Sequence, residues 1–102
     1  MKKKKQSWQV YILQCNDGTL YCGVTTDLKR RTAEHNSSPL GAKYTSGRRP
    51  VALVYARSFA DRSIASKEES RIKKLSRGEK LKLIQKSSMQ YLHPVFSPPH
   101  IA

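Results

Sequence analysis

Five residues of this chain have the types and spacings that phosphodiester chemistry asks for. Tyr11 and Tyr21 sit in two short motifs, Val10-Tyr11-Ile12-Leu13 and Tyr21-Cys22-Gly23-Val24. Arg31 follows Tyr21, His35 lies one helical turn beyond Arg31, and Glu69 falls on a later helical stretch. A phenol in water has a pKa of about 10, so about one in a thousand is ionised at neutral pH. Nearby cations lower that pKa by stabilising phenolate, and cations are abundant here. An arginine fork grips phosphate oxygens, a histidine shuttles protons or donates to phosphate, and a glutamate holds a metal ion. Each residue also has a plainer reading. Aromatics favour strands and pack on sheets, His35 reads equally as a surface histidine at a helix end, and Glu69 has Lys73 four residues on for a helical ion pair.

The elements that must position these residues are legible from local pattern. Trp8 to Gln14 is rich in β-branched and aromatic residues and predicts a strand. Asn16-Asp17-Gly18 is a hairpin turn signal, and Thr19 to Val24 is the returning strand, so Tyr11 and Tyr21 lie on adjacent strands and face one groove. Thr25 or Thr26 caps a helix with Asp27 in its first turn, running to about His35 and ending before Asn36-Ser37-Ser38-Pro39. Arg31 and His35 share a face of that helix. Residues 36–50 read as a basic loop, in which Lys43, Tyr44, Arg48 and Arg49 offer phosphate contacts and base stacking, with a merely solvated loop as the alternative. Val51 to Tyr55 is a third strand, apolar enough to be central or well covered. A helix is predicted from Asp61 to about Leu75, and another from Ser76 or Arg77 with Leu81, Leu83 and Ile84 inward. On the first of these, Ala65, Glu69, Ile72 and Ser76 share a face, which turns Glu69 partly inward and leaves Glu68 to solvent.

Bulk composition narrows the function. The 102 residues hold one domain with one modest core. Twenty Lys and Arg against seven Asp and Glu give a net charge of +13, which points to phosphate backbones. No apolar run approaches the ~20 residues of a membrane span, and no apolar stretch follows Lys2–Lys5 to make a signal peptide. A cytoplasmic location is expected. Cys15 and Cys22 are expected to be unbridged strand and turn residues. The acids number too few to converge on a two-metal centre. One inward glutamate with waters and a substrate oxygen suits a single Mg²⁺. Residues 1–6 read as a disordered basic arm, 7–86 as the folded domain, and 87–102, with Pro94, Pro98 and Pro99, as an extended or flexible tail.

These motifs resemble those of the GIY-YIG endonuclease superfamily. The first motif stands here as Val10-Tyr11-Ile12 and the second as Tyr21-Cys22-Gly23, with the run from Tyr21 to Arg31 and then His35 the most specific part. Glu69-Ser70-Arg71-Ile72-Lys73-Lys74-Leu75 resembles the family's glutamate helix. The likeness spans roughly residues 7–86 and is greatest to the small stand-alone bacterial members. It implies an α+β fold, a three-stranded antiparallel sheet flanked by helices, and Mg²⁺-dependent cleavage of DNA, on branched or damaged substrates in repair or recombination. By position Tyr11 and Tyr21 match the motif tyrosines, either of which activates the nucleophile. Arg31 matches the catalytic arginine, His35 the helix histidine and Glu69 the metal ligand. Gly23 matches the glycine where a side chain would block close approach of backbone or substrate. Gln9 and Val10 stand where the first motif has its glycine, Cys22 replaces an isoleucine, and no asparagine follows the glutamate helix. No targeting domain accompanies the match, so weak sequence specificity is expected, and a targeting protein partner and the oligomeric state stay open. Two rivals share the basic surface: a non-catalytic nucleic-acid-binding module of the same fold, and a protein directed at RNA rather than DNA.

Overall fold

A computed structural model describes residues 7–37 and 40–91. Within them a three-stranded antiparallel sheet, in the order β2-β1-β3, carries helices on both faces. The strands are β1 (Trp8–Gln14), β2 (Leu20–Thr25) and β3 (Ala52–Phe59); the helices are α1 (Leu28–Ser37), α2 (Lys43–Ser46), α3 (Arg62–Lys73) and α4 (Arg77–Tyr91).

The central strand explains the architecture. Val10, Tyr11, Ile12 and Leu13 are all buried, because β1 is covered on both faces and its side chains alternate between them. Val10 and Ile12 join Cys22, Val54, Tyr55, Ala65, Ile72 and Ile84 in the cluster beneath α3 and α4. Tyr11 and Leu13 join Cys15, Val51, Tyr21 and Leu28 on the other side. Cys15 and Cys22 therefore belong to different faces of the sheet, and both thiols are free.

The register places the motifs. Tyr11 pairs with Gly23, Leu13 with Tyr21 and Ile12 with Cys22. Cross-strand partners share a face, so Tyr11, Gly23 and Tyr21 lie together on the α1 side. The hairpin turns at Asp17-Gly18, where Gly18 has φ +85° and the Asp17 carboxylate accepts from the Thr19 N–H and hydroxyl.

Several expectations are corrected. β2 runs one residue later than predicted. Helix α1 begins after Asp27, whose carboxylate accepts from the Arg30 N–H at 3.0 Å, so Asp27 is the cap rather than Thr25 or Thr26. The basic loop is not structureless, for it contains the single turn α2. β3 extends to Phe59 and is an outer strand, made to look central by Val54 and Tyr55, which are both buried at an irregularity in its pairing with Ile12 and Leu13. Asp61 caps α3, accepting from the Ile64 N–H at 2.9 Å. In α4 Ile84 is buried, but Leu81 is 38% exposed rather than inward. Helix α4 continues to Tyr91, so residues 87–91 are helical, since no proline interrupts them before Pro94. The remainder of the expected tail and the arm at 1–6 lie outside the described residues. Among the described residues no helix is long and apolar enough to cross a membrane.

Candidate active site

Tyr11, Tyr21, Arg31 and His35 converge on one face of the sheet. The Tyr11 hydroxyl and His35 Nε2 are hydrogen-bonded across 2.8 Å. The Tyr21 ring lies 5.1 Å from His35 and 6.4 Å from Tyr11, centroid to centroid. Tyr11 and His35 are fully buried, and Tyr21 is partly exposed. Beyond Tyr21, Tyr44 stacks at 5.8 Å, and the Arg48 guanidinium sits 4.1 Å over the Tyr44 ring. The aromatic row thus runs from the buried pair to the surface.

Gly23 allows Tyr11 to occupy its place. A Cβ there would stand 2.5 Å from the Tyr11 hydroxyl oxygen and 2.7 Å from Cζ. This glycine is expected to allow close approach of backbone or substrate; the group it admits in the structure is the tyrosine across the strand pair.

Arg31 is held rather than loose. Its Nη1 donates to Glu34 Oε1 at 2.9 Å and to the Leu40 carbonyl at 2.7 Å. The guanidinium also interacts with the Tyr11 hydroxyl, and its side chain is 26% exposed. The Leu40 carbonyl comes this close because Gly41 passes α1 with no side chain; a Cβ there would meet the Glu34 carbonyl oxygen at 2.6 Å and His35 Cα at 2.9 Å.

Burial sets the protonation of the pair. It pushes the Tyr11 phenol up to about 12, against the opposing hydrogen bond and charge of Arg31. This reverses the expectation that cations would lower it, because desolvating a phenolate costs more than one adjacent guanidinium returns. Burial, then the Arg31 charge, lowers His35 from 6.5 to about 4. At neutral pH Tyr11 is a phenol and His35 a neutral imidazole.

His35 Nδ1 is bonded to Thr45 Oγ1 across 2.8 Å. Thr45 is fully buried on α2, and its hydroxyl donates to the Ala42 carbonyl at 2.9 Å. Sequence reasoning did not single out Thr45, because nothing local distinguishes it from any other threonine in a polar loop. Asn36, also passed over, pins the far end of the loop: its amide donates to the Val51 carbonyl at 3.0 Å and accepts from the Val51 N–H at 2.7 Å.

The basic loop residues have internal duties. Arg49 Nε donates to the His35 carbonyl at 2.7 Å, at the end of α1. Arg48 Nε donates to Asp17 Oδ2 at 3.0 Å and its Nη1 to the Tyr44 carbonyl at 2.8 Å, tying the hairpin turn to α2. Lys43 is exposed.

Glu69 stands apart from the tyrosines. Helix α3 packs on β1 and β2 from the Cys22 side, and Glu69 adds to the burial that pushes the Cys22 thiol up to about 12. Its carboxylate pairs with Lys73 Nζ at 3.2 Å, the plain helical ion pair, with the side chain 24% exposed. Glu68, expected in solvent, is the more covered carboxylate at 14%, holding Arg71 through two hydrogen bonds of 2.8 and 2.6 Å. Among the described residues no three His, Cys, Asp or Glu side chains cluster as a metal cage.

Residues 7–82 match the family model described as the GIY-YIG catalytic domain. The chain is 55% identical over 83 residues to UPF0213 protein DP2720 of Desulfotalea psychrophila, covering 81% of this chain and 76% of that relative. It is 42% identical to the UPF0213 protein BH0048 of Bacillus halodurans, whose solution NMR structure superposes with a TM-score of 0.54 over 83% of this chain and 89% of that one. The solution structure of EF2693 from E. faecalis matches at 40% identity and a TM-score of 0.55, covering 98% and 99%.

Proposed function

The chain belongs to the GIY-YIG family, a nuclease superfamily, and from that premise we propose that it is a Mg²⁺-dependent endonuclease hydrolysing DNA phosphodiester bonds. The observation that carries this reading is the buried Tyr11–His35 hydrogen bond with Arg31 beside it. A water oxygen attacks phosphorus as the bond from phosphorus to the leaving oxygen breaks; the water proton passes to the Tyr11 oxygen, the phenolic proton to His35 Nε2, and the leaving oxygen takes a proton from solvent. Free phenolate, which burial makes expensive, is never formed. Tyr21, partly exposed, lines the approach. Arg31, at the partly exposed side of the pair, offers its positive charge to the phosphate oxygens on which charge develops. The net charge of +13 supplies backbone affinity, with Lys43 on the exposed rim.

Glu69 is the residue that would hold the metal. One partly exposed carboxylate, with one oxygen turned to Lys73, fits a Mg²⁺ that keeps most of its waters and takes the rest of its ligands from phosphate. It does not fit a closed cage or a two-metal centre. The ion supplies neutralisation of the phosphate and of the leaving oxygen when bound. Branched or damaged DNA suits a nuclease of weak sequence specificity, and a cytoplasmic place in repair or recombination goes with it.

One observation favours a second reading, a nucleic-acid-binding module without catalysis: Glu69 is paired with Lys73 on the face of the sheet away from Tyr11. End-labelled duplex, single-stranded and branched DNA, with RNA beside them, separates the two. Incubation with Mg²⁺ is expected to give cutting that EDTA abolishes and that Arg31→Ala and Glu69→Ala both lose while still binding. Retention of each substrate without cutting would select the binding module, and cutting by Glu69→Ala at the wild-type rate would remove the metal assignment.

A further inference from the structure

We propose that Thr45 is a positioning residue that fixes the tautomer of His35, so that Nε2 presents a lone pair to the Tyr11 hydroxyl. This deepens the reading of Tyr11 and His35 as the proton-accepting pair and rests on it.

The direction of a hydrogen-bond chain is set where one member has no choice. Here that member is the Ala42 carbonyl, which can only accept. The Thr45 hydroxyl donates to it at 2.9 Å, which uses the hydroxyl's one hydrogen. Across its 2.8 Å contact with His35 Nδ1 the Thr45 oxygen must then accept, so Nδ1 carries the proton. An imidazole protonated on Nδ1 has its lone pair on Nε2, and across the other 2.8 Å contact the Tyr11 hydroxyl donates.

The opposite polarity has one supporter. The Ala42 N–H points at Nδ1 from 3.4 Å, and would favour a lone pair there. That arrangement exchanges a bond of 2.9 Å for one of 3.4 Å, outside the usual range of N–H donors, and removes the Thr45 donation to Ala42. The first polarity keeps three good bonds in sequence and is the better satisfied.

The consequence for chemistry is directional. With its hydrogen committed to His35, the Tyr11 oxygen turns its lone pairs away from the imidazole, toward the side where Arg31 lies. A phenol oriented that way accepts a proton from water as it gives its own to Nε2. In the other tautomer Tyr11 would accept from Nε2–H, and the lone pair of His35 would lie on Nδ1, facing Thr45 rather than Tyr11. Thr45 touches neither substrate nor the reacting atoms and acts through the ring.

The test uses Thr45→Val, which keeps the branched shape and removes the hydroxyl, and Thr45→Ser, which keeps the hydroxyl. The full chain, labelled with ¹⁵N in histidine, is examined by NMR at pH 7, where the shifts of Nδ1 and Nε2 report which nitrogen is protonated. Wild type and Thr45→Ser are expected to show Nδ1–H. In Thr45→Val the Ala42 N–H is left as the neighbour of Nδ1, and the proton is expected to move to Nε2. Nε2–H in the wild type, or Nδ1–H persisting in a folded Thr45→Val, would overturn the proposal. The wild-type spectrum decides the question even if the valine variant does not fold, and it decides it whether or not the protein cuts DNA. On a substrate that is cut, Thr45→Val is expected to lower kcat about tenfold or more with KM little changed, and Thr45→Ser to restore it. Equal kcat in the valine variant and wild type would remove the positioning role.

Discussion

The buried histidine gives the fold a pH dependence that can be isolated by one substitution. His35 is fully buried and its pKa falls from 6.5 to about 4 on folding. Between those values the unfolded chain binds a proton that the folded chain refuses, so stability rises with pH through this window and is lost on acidification. The loss is RT times the logarithm of the ratio of the two binding polynomials. Taken from pH 7.5 to pH 5 it comes to about 2 kcal/mol. In urea, with a slope of about 1–3 kcal/mol per molar, the midpoint should fall by about 1 M. The carboxylates that folding holds below their usual range, Asp17, Glu68 and Glu79, contribute stability that disappears only further toward acid. They leave the interval from pH 5 to 7.5 largely to His35. The perturbation is His35→Gln, whose amide cannot titrate and is of similar size. Its urea midpoint is expected to be nearly flat over that interval while the wild type climbs. Every other group cancels in the difference between the two curves. Parallel curves for variant and wild type would refute the claim that His35 is buried in its neutral form, and with it the role of Nε2 as a waiting proton acceptor.

Gly23→Ala should cost about 1–3 kcal/mol by urea denaturation, the usual penalty of overpacking, because the new methyl would stand 2.5 Å from the Tyr11 oxygen. A variant as stable as the wild type would mean that Tyr11 does not lie across Gly23. Ile72→Ala removes a fully buried side chain from the cluster beneath α3 and should cost about 2–5 kcal/mol. At about 4–8 °C per kcal/mol this lowers Tm by roughly 8–40 °C in calorimetry, and a loss below about 1 kcal/mol would contradict the packing of α3 on β1.

What the sequence discloses is what local pattern controls. The apolar run of β1, the Asp17-Gly18 turn and the spacing of Arg31 and His35 each depend on residues a few positions apart, and the structure forms them as read. Tyr11 and Tyr21 share a face because strand periodicity and a short turn leave no other register. The illegible features depend on depth or on long-range neighbours. Helical periodicity turns Glu69 partly inward, as found, but it does not say how far Arg57 and Arg71 lie from Glu68, which is why Glu68 is covered rather than left to solvent. Counting cations predicts a lowered phenol pKa; it is blind to burial, which dominates at Tyr11. Thr45 matters because α2 folds back against α1, a contact between residues ten positions apart that no window pattern reports.

The placement of Glu69 constrains how a nucleic acid engages this fold. Tyr11, Tyr21 and His35 occupy one face of the sheet, and Glu69 stands by Cys22 on the other. The strand between them is β2, and β2 is an outer strand. A phosphate on either flat face would meet only one half of the set. On the proposed reading, one phosphate would take Arg31 from one side and a metal held by Glu69 from the other at the outer edge that β2 presents among the described residues. A hydrated ion favours that arrangement, since its water shell adds reach that a bare carboxylate lacks. The Lys73 pair then becomes part of the site's electrostatics. The ammonium neutralises Glu69, and at 3.2 Å in an i,i+4 helical pair it is an interaction of only about 0.3–0.5 kcal/mol. On the proposed reading a divalent cation would displace it at little cost. The same ion pair that makes Glu69 look like an ordinary surface residue is thus too weak to exclude the proposed metal.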